Sequence, residues 1–215
     1  MFAYGTDLLA DKRACPVGDL LSVVATASIP GEDGTDGPLT ELEQQMFFNL
    51  LIAAGAETTR NSIALGVLAL VEHPDQWARL QADRSLLPTA VEEILRWTST
   101  TTYNRRTATR DGELGGRAIA AGDKVTLWWG SANHDDAAFV DPFRFDVGRT
   151  PNAHLAFGHG SHFCLGANLA RLEIKLVLDA MLDRVAAVEL DGPVERTRSN
   201  KHTGVRGMPV RFVPC

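Results

Sequence analysis

Ten consecutive residues decide how this sequence is interpreted, and they are Phe157-Gly158-His159-Gly160-Ser161-His162-Phe163-Cys164-Leu165-Gly166. A single cysteine lies here between a glycine-rich loop and a predicted helix, because leucines follow at positions 165, 169, 172 and 176 with helical spacing. The positive end of that helix would favour a thiolate at Cys164, and the glycines would let the backbone approach a large flat ligand. For a lone cysteine, a buried and unreactive side chain is the usual alternative.

The composition is that of a globular protein. The 215 residues are 45% hydrophobic and 22% charged, which excludes collagen-like, coiled-coil and disordered classes. The three cysteines, Cys15, Cys164 and Cys215, are odd in number and far apart, which favours a reducing compartment over a disulfide framework. No second cysteine lies near Cys164 to build a zinc site. We therefore expect a cytoplasmic protein.

Charge and hydropathy limit the partners. The formal net charge is −6 and there is no long basic run, so a nucleic-acid partner is not expected. The first residues lack the charged start and apolar core of a signal peptide. The stretch 46–71 is the most apolar, but polar residues such as Asn49, Glu57 and Arg60 interrupt it. We expect no membrane span and a buried helix instead.

The order of elements follows from caps, turns and periodicity. Thr40 and Glu43 have the spacing of a capping box, so a long helix should begin there, and Pro74 should end it and begin the next. Thr, Tyr and Val with glycine turns then indicate short strands. The predicted segments are a leading helical segment and loop (1–39), the long helix (40–72), two further helices (73–99), short strands (100–130), a meander (131–156), the cysteine loop and its helix (157–186) and terminal strands (187–215).

The cysteine loop resembles the haem-binding signature F-x-x-G-x-x-x-C-x-G of the cytochrome P450 family, the haem-thiolate monooxygenases. It matches that signature at Phe157, Gly160, Cys164 and Gly166. The resemblance implies haem b as cofactor, with Cys164 as the axial thiolate ligand of the iron. It further implies that His162 would hydrogen-bond a haem propionate and that the cofactor-binding loop includes Phe157, Gly158 and Gly166.

A second motif lies in the long helix. Ala54-Gly55-Ala56-Glu57-Thr58-Thr59 is similar to the family's A-G-x-[DE]-T-T, where a widened turn beside the haem makes a groove for dioxygen. The resemblance implies that Ala54 and Gly55 lie at the cofactor and that Thr58 and Glu57 are catalytic, delivering protons. Without the resemblance, the same residues indicate close helix packing at Gly55 and hydroxyls bonded back to carbonyls.

Three further positions agree with the family in chain order. Glu93 and Arg96 resemble the family's E-x-x-R motif. The resemblance implies that this pair holds the meander in place through another arginine, either Arg144 or Arg149. Without the resemblance, a glutamate and an arginine at this spacing usually form a solvated ion pair. Arg106, with Arg105 as the competing choice, matches the strand arginine that pairs with a haem propionate. The resemblance implies that these glutamate and arginine residues of the E-x-x-R set serve folding and cofactor retention rather than chemistry.

The resemblance implies the C-terminal half of the cytochrome P450 fold, mainly α with small β-sheets. The family's chains are longer, so one alternative is a truncated, non-catalytic haem-binding fragment, and another is a helical protein without haem. The residues at 57–62, 73–76 and 166–171 are most similar to those of actinobacterial members that hydroxylate sterol side chains and methyl-branched lipids. Electrons would come from a ferredoxin and ferredoxin reductase, and residues 100–103 and 199–204 would line the pocket of a small hydrophobic substrate.

Overall fold

The computed structural model describes residues 2–31 and 34–215, and it divides the chain into two compact units. The first unit is Met1–Glu57 and the second is Thr58–Cys215, so the boundary falls inside the long helix. The cysteine loop, the E-x-x-R pair and the strand arginine all belong to the second unit.

Helices dominate the chain and the strands are short. The helices are α1 (Phe2–Ala14), α2 (Leu20–Thr26), α3 (Glu41–Glu72), α4 (Pro74–Ala82), α5 (Leu87–Thr98), α6 (Trp129–Ala132) and α7 (Ala167–Arg184). The strands are β1 (Ser28–Pro30), β2 (Asp36–Pro38), β3 (Tyr103–Thr107), β4 (Gly112–Leu114), β5 (Arg117–Ile119), β6 (Lys124–Trp128), β7 (Val185–Leu190), β8 (Glu195–Arg196), β9 (Val205–Gly207) and β10 (Val210–Pro214). The prediction of a mainly α fold with small sheets is confirmed.

The start of α3 has the predicted capping box. The Glu43 amide donates to the Thr40 hydroxyl at 3.3 Å, and the Thr40 amide donates to the Glu43 carboxylate at 2.8 Å. Two amides that the helix leaves without intrahelical partners are thereby satisfied. At the other end, Pro74 occupies the first position of α4, where its missing N–H costs nothing.

The first unit has a small core of its own. Leu9 of α1, Val24 and Ala25 of α2 and Phe48 of α3 form one buried cluster. Gly5 of α1 lies directly against Phe48, where a Cβ would come within 2.7 Å of the ring. The sequence predicted only a loop between α2 and α3, but β1 and β2 pair there as a short antiparallel hairpin.

The core of the second unit lies where α5 packs against the last part of α3, α4 and α7. The most buried side chains of this cluster include Leu80, Ala90, Ile94, Phe145, Val147 and Ile174. Two of them, Phe145 and Val147, come from the meander, which has no regular secondary structure. The meander therefore contributes side chains to the core.

The sheets of the second unit are antiparallel strand pairs. β3 pairs with β6, β4 with β5, β7 with β10 and β8 with β9. β7 begins at Val185, two residues before the predicted start of the terminal strands. Tyr103 lies opposite Trp128 in the β3–β6 pair, which fixes the register that places Arg105 and Arg106 in mid-strand.

The leucine face predicted for α7 is not the face that packs. Leu165, Leu169 and Leu176 are 73%, 60% and 57% exposed, and Leu172 is also exposed. The buried face carries Ile174, Leu178 and Leu182. α7 is apolar on two sides, so helical spacing alone does not identify its packed face. Apolar side chains of α3, such as Leu42, Met46 and Leu50, are exposed as well.

The helix hydropathy and the state of the cysteines can be read from the described residues. Over the described residues, none of the helices carries an apolar stretch of the length needed to cross a bilayer. Cys15, Cys164 and Cys215 are free thiols, and all three are exposed.

One close packing contact makes a testable prediction. A Cβ at Gly66 of α3 would come within 2.7 Å of Ile94 of α5, whereas a Cβ at Gly130 of α6 would meet no atom within 4 Å. We expect Gly66→Ala to lower the free energy of unfolding by about 1–3 kcal/mol, because the buried Ile94 must shift. Gly130→Ala is the control and should change it by less than about 1 kcal/mol. Equal unfolding midpoints in urea for the two variants would contradict this packing.

Candidate functional site

The cysteine loop is closed by its own backbone. Gly158 and Gly160 have φ of 74° and 73°, a left-handed conformation that glycine adopts without strain. The amide of Cys164 donates to the carbonyl of Phe157 at 2.9 Å, and the amide of Ala167 donates to the carbonyl of Cys164 at 3.3 Å. These bonds fix the cysteine between the loop and the first turn of α7, with its side chain exposed.

Apolar groups and a glycine surround the sulfur. Phe163 and Leu165, on either side of Cys164, are both exposed, and the ring of Phe163 meets Phe157 edge-on at a centroid distance of 6.2 Å. A Cβ at Gly166 would lie 4.0 Å from Sγ of Cys164. Hydrophobic side chains beside an exposed thiol suit an apolar ligand that reaches the sulfur from outside the loop.

The motif of the long helix lies within α3, whose α-helix runs from Glu41 to Glu72. Ala54, Gly55 and Glu57 are exposed, Thr58 is half-buried and Thr59 is buried. A Cβ at Gly55 would meet nothing within 4 Å, so Gly55 is not explained by the close helix packing that was the alternative interpretation.

The two arginines proposed for a propionate lie next to each other on β3. Both are exposed, and the guanidinium of Arg106 donates to the carbonyl of Arg105 at 3.1 Å. Adjacent residues of a strand point to opposite faces, so only one of them can face a given ligand. His162 lies in the single helical turn Gly160–His162 of the cysteine loop and is exposed.

Glu93 and Arg96 form a fully buried ion pair, not a solvated one. Nε and Nη2 of Arg96 each donate to a carboxylate oxygen of Glu93 at 2.8 Å, and both side chains are 0% exposed. The other three donors of the guanidinium reach carbonyls of the meander, those of Asn133 (2.8 Å), Pro142 (2.8 Å) and Arg144 (3.3 Å). All five donors of Arg96 are thus used.

Arg149, and not Arg144, brings its guanidinium to Glu93. Its Nε lies 3.1 and 3.2 Å from the two carboxylate oxygens. Its Nη1 donates to the carbonyl of Val140 (2.7 Å), and its Nη2 donates to the carbonyls of Asp141 (3.1 Å) and Arg144 (2.7 Å). Arg144 contributes only its carbonyl to this network. Two guanidinium groups around one buried carboxylate therefore hold the meander against α5.

Two asparagines that were not predicted as site residues complete the network. Asn133 is 0% exposed; its amide donates to the Ser99 hydroxyl at 2.9 Å, and its side-chain oxygen accepts from the Leu155 amide at 2.7 Å. Asn152 donates to Glu93 at 3.1 Å. These two hydrogen bonds of Asn133 join the residue that follows α5 to the end of the meander that leads into the cysteine loop.

A second charged cluster was also missed. Glu92 accepts from Nε2 of His154 at 3.0 Å and from Nε and Nη2 of Arg171 at 2.7 and 3.0 Å. Burial raises the pKa of Glu92, but the hydrogen bonds from His154 and Arg171 outweigh it and lower the pKa to about 2. These residues are separated by 62 and 79 positions, so spacing in the sequence could not connect them.

Two segments predicted to line a substrate pocket contact each other. The amide of Thr102 donates to the carbonyl of Lys201, and the amide of Thr203 donates to the carbonyl of Thr100, both at 2.9 Å. The hydroxyls of Thr100 and Ser62 of α3 lie 3.4 Å apart. The structure thus brings residues 100–103 and 199–204 together beside α3.

Comparison with known proteins establishes the family. The cytochrome P450 family model matches residues 16–205, so the chain belongs to the cytochrome P450 family. The resemblance in the cysteine loop is confirmed, and with it haem b held by a cysteine thiolate as the cofactor of the family.

Several bacterial proteins are similar to this chain. Three relatives are from Mycobacterium tuberculosis. The chain is 53% identical to cytochrome P450 126, with 99% of this chain and 51% of the relative covered. It is 47% identical to a methyl-branched lipid omega-hydroxylase (98% of this chain, 48% of the relative) and 43% identical to a steroid C26-monooxygenase (96% of this chain, 51% of the relative). The crystal structure of CYP108D1 from Novosphingobium aromaticivorans matches with a TM-score of 0.90 at 42% identity, covering 100% of this chain and 51% of that one. The chain spans about half the length of the curated relatives it matches.

Proposed function

We propose that this chain supplies the haem-binding part of a haem-thiolate monooxygenase that hydroxylates a hydrophobic substrate. The observation that carries the proposal is the cysteine loop, in which backbone bonds present an exposed Cys164 at the start of α7. Membership of the cytochrome P450 family and relatives named as hydroxylases and monooxygenases support it.

The residues of the second unit fit the cofactor. Cys164 offers an exposed sulfur, Gly166 keeps bulk away from it, and Phe157 and Phe163 give the surroundings an apolar character, while Gly158 supplies the left-handed backbone that the loop needs. Arg106 and His162, both exposed, are suited to the propionates because each can donate hydrogen bonds to a carboxylate. By the family motif, Ala54 and Gly55 of the long helix would also contribute to holding the cofactor. When bound through a thiolate, haem activates dioxygen and favours O–O cleavage.

Thr58 and Glu57 are proposed to deliver protons. Reducing dioxygen so that one oxygen atom enters a C–H bond and the other leaves as water consumes two protons. Glu57 is exposed and can exchange protons with solvent, and Thr58 is half-buried with a hydroxyl that both donates and accepts. The hydroxyl would orient water and pass on a proton that the carboxylate takes from solvent.

The proposed substrate is a sterol or a methyl-branched lipid. Two of the similar proteins are named for a methyl-branched lipid and for a steroid. The threonine-rich turn at 100–103 and the loop at 199–204, which contact each other beside α3, would contribute to the pocket. Two electrons per turnover would come from a ferredoxin and its reductase. We place the protein in the cytoplasm, where three exposed thiols stay reduced.

Turnover tests this function. The chain should be assayed alone and together with the part of the methyl-branched lipid omega-hydroxylase that it does not cover, with a ferredoxin, its reductase, NADH and a sterol or branched lipid. We expect substrate-dependent oxygen consumption and hydroxylated product. Thr58→Ala should lower the yield of product per NADH by roughly tenfold, with reducing equivalents appearing as peroxide, because removing one positioned proton donor costs at least that factor. Thr35→Ala, far outside the motif, is the control.

The outcomes separate the two candidate functions. Unchanged coupling in Thr58→Ala would remove Thr58 from proton delivery. Haem binding without oxygen consumption in any combination would favour the second candidate, a non-catalytic haem-binding fragment. The observation behind that candidate is that the chain covers about half of each relative.

A further inference from the structure

The cluster of Glu92, His154 and Arg171 joins three elements of the second unit. Glu92 lies on α5, His154 in the meander just before the cysteine loop, and Arg171 in the second turn of α7. Nδ1 of His154 accepts from the Ala156 amide at 3.2 Å, so Nε2 is the nitrogen that donates to Glu92. The carboxylate thus receives donors from both ends of the segment that carries the cysteine.

The guanidinium of Arg171 also contacts the cysteine loop directly. Its Cζ lies 4.6 Å from the centroid of the Phe157 ring, within the range of a cation–π contact. Phe157 is the residue whose carbonyl accepts the amide hydrogen of Cys164 at 2.9 Å. A short chain of contacts therefore runs from Glu92 through Arg171 and Phe157 to the backbone of Cys164.

Arg171 is held more firmly than an arginine in an ordinary surface ion pair. Both Nε and Nη2 of Arg171 bond Glu92, and this two-point contact fixes the plane of the guanidinium. His154, whose side chain is 3% exposed, closes the other side of the carboxylate. By contrast, Arg84 pairs with Asp179 and Asp183 farther along α7 through side chains that are about half exposed, and no ring lies against it among the described residues.

We propose that Arg171 is a positioning residue for Cys164. Held by Glu92 and His154, it keeps the Phe157 ring in place, and the Phe157 carbonyl in turn keeps the amide of Cys164, and so the direction of its sulfur, fixed. Its contacts described above are with Glu92 and Phe157, so Arg171 acts on the sulfur through other residues. Its importance for catalysis rests on the proposed function, but its effect on the loop does not.

Hydrogen exchange of the Cys164 amide is the first test, because it needs no cofactor. Opening of the loop breaks the bond from this amide to Phe157, so its exchange rate reports how often the loop opens. We expect Arg171→Gln to speed exchange of the peptide 157–165 by roughly three- to tenfold, the effect of losing an ion pair and a cation–π contact. Exchange of the peptide 174–182 in the same helix should stay unchanged.

Two matched variants show what Arg171 contributes. Arg84→Gln removes the same side chain from a pair that also involves α7, and it should leave the peptide 157–165 within twofold of the parent chain. Arg171→Lys keeps the charge but loses the planar fork, so it should recover only part of the protection. Equal rates in Arg171→Gln and Arg84→Gln would overturn the proposal, as would faster exchange spread over the whole of α7.

A second readout separates this proposal from the proposed function. In the haem-loaded protein, Arg171→Gln should lower the share of the reduced, carbon monoxide-bound complex that shows the thiolate-type band. If no variant binds haem, the proposed function fails, while the exchange of the Cys164 amide still decides whether Arg171 positions the loop. If haem binds and the share of the thiolate form is the same in Arg171→Gln and the parent, the positioning role does not reach the sulfur and the proposal fails.

Discussion

Glu93→Gln is expected to lower the free energy of unfolding of this chain by about 3–5 kcal/mol, the cost of leaving buried charge without its partner. Glutamine has nearly the same shape, but it carries no charge and turns an amide group toward the donors of Arg96 and Arg149. Both guanidinium groups would then be held by carbonyls alone. Because Phe145 and Val147 of the meander belong to the core, their packing against α5 should loosen with the network.

Urea unfolding followed by circular dichroism measures this effect. Glu189→Gln is the matched control, because Glu189 also pairs with an arginine, Arg211, but on the exposed surface of the β7–β10 pair. Such a pair contributes at most about 1 kcal/mol. If Glu93→Gln lowers stability no more than Glu189→Gln does, the buried network does not hold the meander. If Glu93→Gln cannot be purified as a folded protein, Arg149→Lys gives a milder test. Hydrogen exchange of the meander amides should then be faster in Arg149→Lys than in the parent chain.

Cys164→Ala is expected to abolish the thiolate-type band of the reduced, carbon monoxide-bound protein completely. Loss of the only thiol in the cysteine loop removes the proposed ligand of the iron, and no other side chain can supply a thiolate there. The measurement is a difference spectrum of the purified chain after expression with a haem precursor. It is repeated in the presence of the part of the methyl-branched lipid omega-hydroxylase that this chain does not cover.

The other two cysteines provide the controls for this experiment. Cys15→Ala and Cys215→Ala also remove exposed free thiols, and both should retain the band at the level of the parent. A band that persists in Cys164→Ala would assign the ligand to another residue. If the parent chain shows the band under neither condition, this chain does not hold haem through Cys164.

The sequence predicted the parts of the fold that depend on local signals. The capping box at Thr40, the proline at the start of α4 and the glycine-rich loop before α7 are all where the sequence indicated. Each is determined by a few neighbouring residues. The hairpin of β1 and β2 was missed because its strands are only three residues long and contain glycine and proline, which rarely indicate strands.

The candidate site was predicted only in part, for a different reason. The motif identified Glu93 and Arg96, but it could not choose between Arg144 and Arg149, since both lie about 50 residues away in a segment without periodicity. The path of the meander decides which of the two guanidinium groups lies next to Glu93 of α5. For the same reason, Glu92, His154 and Arg171 could not be connected before their positions in space were known.

The helix α7 shows where periodicity misleads. The leucines at 165, 169, 172 and 176 make a regular stripe, and a second stripe of Ile174, Leu178 and Leu182 lies on another face. Both satisfy the helical period, and only packing against α5 decides that the second one is buried. The exposed stripe, like the exposed apolar side chains of α3, is apolar surface that no described residue covers.

The carbonyls that bind Arg96 and Arg149 make the length of the meander as important as its sequence. Loops ordinarily tolerate insertions and deletions, and chimeras of related proteins are often joined within them. Here one added residue would displace every later carbonyl by roughly 3.3 Å, farther than a hydrogen bond can stretch. Crossover points for a chimera with a relative therefore belong outside residues 133–149, for example in the turn between β4 and β5, where glycines at 115 and 116 face open space.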